Sequence, residues 1–310
     1  MRAKIMLLPG SEKGEILCSL AEEILIEVSA AFNHSFSLLR EKIGEASIAA
    51  YQEALTDETV EACQQCQAIL LCDGECEGAR DLYDALNLPL RIRSFCIPEA
   101  LCGRHEAPVS LWVAPVLSID PATLGSAVKS AFRFAQEKEI RIAHVAPTGA
   151  AKAEWDGNIQ VNELSNPAIS TASLSGPEAV SAIITAPNRL GLILCPPYAG
   201  SMLEAAASAL CPYPFMVHEA AFNDAIGVYS PILPKEEAEA ALPYACALAV
   251  ANLLRTSLGL MREAACVEAA VNNVISAHPG PDGTDALSLV TLICEQIAIA
   301  GELMGKAGIR

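Results

Sequence analysis

The stretch LGLILCPPYAGSMLEAAASAL, residues 190–210, reads as a buried strand, a turn and the first turns of a helix. In open α/β sheets ligands collect at such a junction, beyond the carboxyl end of a strand. Here it offers Tyr198, Ser201 and Glu204 among prolines and alanines. Tyr198 is a hydrogen-bonding candidate or a packed turn tyrosine; Glu204 faces a ligand or solvates its helix. In MVHEAAFNDAIG (216–227), His218, Glu219 and Asp224 have the types needed for acid–base work, with no nucleophile or metal partner evident. RIRSFCI (91–97) reads as a strand, so Arg91 and Arg93 share one face and form either a candidate anion site or part of a solvated surface. Lys152 and His144 are a spare cation and, by default, a packed core histidine.

EACQQCQAILLCDGEC (61–76) places Cys63, Cys66, Cys72 and Cys76 close together in sequence. Four thiolates suit zinc or an iron–sulfur cluster. The segment reads as a helix followed by a strand, however, so the four do not converge without distortion. The chain's 12 cysteines are otherwise scattered, which favours buried, reduced thiols over disulfides.

The elements that must position these residues alternate. AKIMLLPG and AILLCD are short apolar strands, each followed or preceded by a helix, with Thr56 as N-cap of the helix LTDETVEACQQC. VSLWVAPVLSI and RIAHVAP are strands flanking the helix from Pro121, and GPEAVSAIITAP is a helix before the strand LGLILC. PYACALAVANLLRTSLGL is nearly all apolar, as a helix buried in a core or interface would be. Two further helices close the chain. This alternation predicts an α/β fold with a mostly parallel sheet flanked by helices.

At 310 residues the chain can bury a sizeable core. With 37 acidic against 20 basic residues its formal charge is −17, which excludes a nucleic-acid partner that needs clustered Lys and Arg. No uninterrupted apolar run reaches membrane-spanning length and no signal-peptide centre stands at the start; the expectation is a cytoplasmic protein with no membrane partner.

Several pieces, in order, resemble the NAD(P)-dependent β-decarboxylating dehydrogenases, the 3-isopropylmalate, isocitrate and tartrate dehydrogenases. IMLLPG with Gly14 is similar to their opening strand and glycine turn, and DLYDALNLPLRIRSF to their DLYANLRP segment. ITAPNRLGLIL with Gly200 is similar to the strand leading into their metal helix; GVYSP and NLLRTSLGL resemble the segments either side of their cofactor loop. The resemblance implies a two-domain dimer, NAD as hydride acceptor, and Mg or Mn held by aspartates. Such a hard cation takes oxygen ligands and, as a Lewis acid, stabilises a developing enolate.

Carried over residue by residue, that pattern is not met. The metal aspartates fall at Ser201, Ala205 and Pro177, the lysine at Pro147, and the arginines near Asn87 and Ala114. The segment 114–125 holds no tyrosine, and the cofactor loop is shortened to ILPKEEAEAAL (232–242), without histidine or glycine. The expectation is therefore an isopropylmalate/isocitrate dehydrogenase-like pseudoenzyme that keeps no metal or cofactor, acting as a homodimer or with an active paralogue. Alternatives are a pocket reused for different chemistry and an NAD-dependent oxidoreductase of a 2-hydroxy acid. A first domain is expected from 1–96 and 228–310. A second α+β domain (97–227) is expected to carry the dimer interface.

Overall fold

A computed structural model describes residues 1–101, 108–210, 216–232, 242–278 and 285–306. In chain order the first elements are β1 (Arg2–Leu8), α1 (Glu12–Ala31), β2 (Ser35–Arg40), α2 (Glu45–Tyr51), α3 (Asp57–Gln64), β3 (Ala68–Leu71) and α4 (Ala79–Ala85). The middle of the chain forms β4 (Arg91–Ile97), β5 (Val109–Pro115), α5 (Pro121–Glu137), β6 (Ile142–Val145), α6 (Ala151–Ser165) and β7 (Thr171–Leu174). It continues with α7 (Gly176–Thr185), β8 (Gly191–Cys195), α8 (Pro197–Leu210) and β9 (His218–Phe222). The last elements are β10 (Gly227–Pro231), α9 (Leu242–Thr256), α10 (Met261–Ala277) and α11 (Ala286–Lys306).

The chain divides into two compact units, Met1–Leu86 with Ile226–Arg310, and Asn87–Ala225. The first holds parallel strands in the order β2-β1-β3-β10. Strands β1 and β3 are near-continuous apolar runs, as burial on both faces requires. Ser11 caps α1 by accepting from the Gly14 amide. Gly14 lies so close to the Pro9 carbonyl that a Cβ there would stand 1.7 Å from its oxygen. Helix α9 is nearly all apolar, and Ala245, Cys246, Ala247, Ala249, Val250 and Leu253 are fully buried. It packs on β3 and β10, between α1 and α10. Residues Ala286–Leu303 of α11 are long and apolar enough to cross a membrane, with mean hydropathy 1.6; Glu295 interrupts the run, and the helix lies along α1, α9 and α10.

The second unit orders its strands β9-β4-β5-β8-β6-β7. The β5, β8, β6 and β7 neighbours are parallel, while β4 runs antiparallel to both β5 and β9. Those two ladders are why β4 goes with this unit. Pro121 opens α5, and Ser175 with Glu178 forms a capping box on α7.

Candidate functional site

The site is built on β4. Arg91 and Arg93 are two residues apart and so project from one face of the strand. The β4–β9 register sets Arg93 opposite Glu219, which puts that carboxylate on the same face. After β8 the chain turns into α8, which packs on β4 and β5 and brings Glu204 over them.

Among the described residues, four charges meet there. Arg93 donates through Nε and Nη2 to Glu219 Oε2, at 3.2 and 2.9 Å. Its Nη1 lies 3.3 Å from Glu204 Oε2. Arg91 donates through Nη2 to Glu204 Oε1 at 3.1 Å, and its Nε is 3.6 Å from Glu219 Oε2. The Glu219 side chain is 1 % exposed, Glu204 12 %, Arg93 13 % and Arg91 30 %. These two arginines and two glutamates alternate in sign. Each carboxylate serves both guanidinium groups, so breaking one contact leaves the others in place.

Cys195, at the end of β8, is buried beside this set. Burial first, and then the Glu204 carboxylate, push its thiol well above the ordinary range, against the smaller opposing pull of Arg91. Burial thus favours the thiol over the thiolate there.

The other candidates disperse. Tyr198 is 64 % exposed in the first turn of α8. His218 is buried and donates Nδ1–H to the Met216 carbonyl at 3.1 Å. As neighbours on a strand, His218 and Glu219 point to opposite faces. Asp224 is held by Lys129 (2.6 Å) and Arg133 (3.1 Å) at an exposed turn. His218, Glu219 and Asp224 of MVHEAAFNDAIG thus face different partners among the described residues. Lys152 pairs with Asp156 one helical turn on. His144 accepts from Trp155 Nε1 at 3.3 Å and is a packed core histidine, as its sequence position suggests.

Ser201 and Ala205 lie exposed on α8, and Pro177 is exposed in the first turn of α7. None brings a carboxylate. Of the four clustered cysteines, Cys63 is buried on α3, Cys66 lies just beyond it, and Cys72 follows β3. Cys76 packs where a Gly10 Cβ would be, 2.9 Å from its Sγ. Among the described residues no group of three or more His, Cys, Asp or Glu is arranged to hold a metal. Most of the cofactor-loop segment, 233–241, lies outside the described residues.

Residues 4–78 match the family model described as isocitrate/isopropylmalate dehydrogenase. The chain is 24 % identical to the 3-isopropylmalate dehydrogenase of Bacillus subtilis, over 89 % of this chain and 90 % of that one. Over 67 residues it is 43 % identical to the same enzyme of Campylobacter jejuni, covering 22 % of this chain and 19 % of that one. Its fold is similar to a β-decarboxylating dehydrogenase of Thermococcus kodakarensis, with TM-score 0.80, 15 % identity and 98 % of both chains covered. It is also similar to isocitrate dehydrogenase of Methylococcus capsulatus, with TM-score 0.78, 16 % identity, and 96 % and 99 % of the two chains covered. With the match at its amino end, similarity along its length and this fold, the chain is similar to the isocitrate/isopropylmalate dehydrogenases.

Proposed function

We propose that this chain is a non-catalytic member of its family, a pseudoenzyme that has given up the oxidative decarboxylation of a 2-hydroxy acid. The observation that carries this reading is the four-charge set. Arg91 and Arg93 are the arginines presented by β4, and each already meets two carboxylates of its own chain. A substrate carboxylate would have to compete with Glu204 and Glu219, which already hold both guanidinium groups in a largely buried place.

The donor chemistry agrees. Mg or Mn wants carboxylate oxygens, and the positions the resemblance assigns to them carry Ser201, Ala205 and Pro177. The residues present do not fit that ion. The segment expected to meet NAD carries Glu236, Glu237 and Glu239, whose charge opposes a pyrophosphate. What remains is a folded scaffold acting through its surface, as a homodimer or paired with an active paralogue.

The test is a thermal-shift and calorimetric titration with NAD, NADP, Mg or Mn, and isopropylmalate or isocitrate, alone and combined. Saturation at a hundred times Kd would add about 2.7 kcal/mol of stability. No shift and no cofactor reduction are expected. A clear shift with cofactor plus metal, or reduction of NAD, overturns the reading and restores the dehydrogenase.

A further inference from the structure

Three thiols meet inside the first unit. Cys18 lies in α1, Cys72 directly follows β3, and Cys246 lies in α9; all three are fully buried. The Cys18 and Cys72 sulfurs are 3.2 Å apart, with Cys18 donating to Cys72. Cys246 donates to the Leu17 carbonyl at 3.5 Å.

A single buried cysteine is an apolar filler. This pair differs in how it is held. The Cys72 amide donates to the Leu8 carbonyl at 2.8 Å, which fixes its backbone to the end of β1. Cys18 is in the second turn of a 20-residue helix. Two rigid elements therefore hold the sulfurs face to face, and a bond of about 2.05 Å requires them to close by roughly 1.2 Å.

We propose that Cys18 and Cys72 form a reversible disulfide when the protein meets a peroxide, fastening α1 to the end of β3. One thiol, as thiolate, attacks a peroxide oxygen, giving a sulfenic acid and releasing water. The second sulfur attacks the sulfenic sulfur and expels its oxygen as a second water. The balance is two thiols and one hydrogen peroxide to one disulfide and two waters, with both electrons passing to the peroxide. Burial holds the Cys72 thiol well above its ordinary range, so the reaction is slow and waits on transient opening of the unit. The bond would tether the turn of residues 73–78, whose Cys76 packs against Gly10 and Gly44. This device is independent of whether the charged set excludes a substrate.

The folded protein is treated with excess hydrogen peroxide, unfolded in alkylating agent, digested and mapped by mass spectrometry. The expected product is the peptide pair joined through Cys18 and Cys72, two hydrogens lighter than the reduced pair and released by dithiothreitol. The oxidised protein melts several degrees higher than the reduced one, because the cross-link constrains the unfolded chain. Cys246→Ser keeps the bond; Cys18→Ser and Cys72→Ser abolish it. Recovery of Cys18 and Cys72 as alkylated thiols, once the half-buried Cys76, Cys96 and Cys294 have been oxidised, overturns the proposal. So does a Cys18–Cys246 bond in its place. The peptide map of the unaltered chain decides between these outcomes even where a variant fails to fold.

Discussion

Arg93 and Glu219 face each other across β4 and β9 with Nη2 2.9 Å from Oε2 and the Glu219 side chain 1 % exposed. An ion pair this deep is weak evidence of net stabilisation, because desolvating both charges offsets most of their attraction. Breaking it from one side is another matter, since Arg91 and Arg93 then lose one of the carboxylates they share in a poorly solvated place. Glu219→Ala is expected to cost about 3 kcal/mol or more, read as a lowered urea midpoint. Glu219→Gln keeps the shape and is expected to cost less. Equal costs for the two would locate the effect in packing rather than charge.

Glu204 is the more accessible carboxylate of the set, reaching Arg91 and Arg93 from α8 rather than from the sheet. Glu204→Ala removes one negative charge and leaves two guanidinium groups sharing Glu219. Citrate or another polycarboxylate is then expected to raise the melting temperature of the variant and leave the parent unmoved. An equal response from both proteins would show that Glu204 does not block anion access.

Burial, ahead of the smaller opposing pull of Asp156 and Glu163, lowers the pKa of His144 below the usual histidine range. The unfolded chain therefore binds a proton more readily than the folded one. Stability is fully present above about pH 6.5 and declines as pH falls through the folded value. Urea unfolding at neutral and mildly acidic pH is expected to show this decline, and His144→Gln to show a smaller one. An unchanged decline in the variant would assign the acid sensitivity elsewhere.

Hydrogen bonding from Lys129, with Arg133 adding charge, holds Asp224 below the usual aspartate range. The contribution is present at neutral pH and lost as pH falls through that lowered value. Both Lys129 and Asp224 are well exposed, so water screens the pair. Asp224→Asn is expected to cost under about 1 kcal/mol at neutral pH, and less in high salt. A larger, salt-independent loss would mean the turn itself needs the aspartate.

Gly14 follows the sharp exit from β1, where a side chain has no room beside the Pro9 carbonyl. Gly14→Ala must push α1 away from the end of β1. Overpacking of this kind costs roughly 1–3 kcal/mol, and an unaltered melting temperature would contradict the close approach.

Much of this arrangement was legible in the residues. The apolar runs of β1, β3 and β8 announced buried parallel strands, and the spacing of Arg91 and Arg93 put them on one face. Their partners were not legible. Pairing Arg93 with Glu219 requires the β4–β9 register, and bringing Glu204 to both arginines requires the docking of α8, which neither local pattern encodes. Two elements escaped for the opposite reason. Strand β2, SFSLLR, has no buried residue and hence no apolar alternation to detect, while α6 buries only Trp155 and Ile159. Likewise nothing in the spacing of Cys18 and Cys72 joins them, because their contact is made only when α1 folds back over the sheet.

The first unit is assembled from two stretches of chain separated by the whole of the second. The apolar face of α1 is covered by α9 and α11, and β3 gains its outer neighbour only from β10. On the ribosome, the leading segment must therefore emerge with that face open and its strand edge bare. It keeps them so while the intervening unit is made and folds. A nascent chain in this state presents the kind of apolar surface and bare strand edge that chaperones cover.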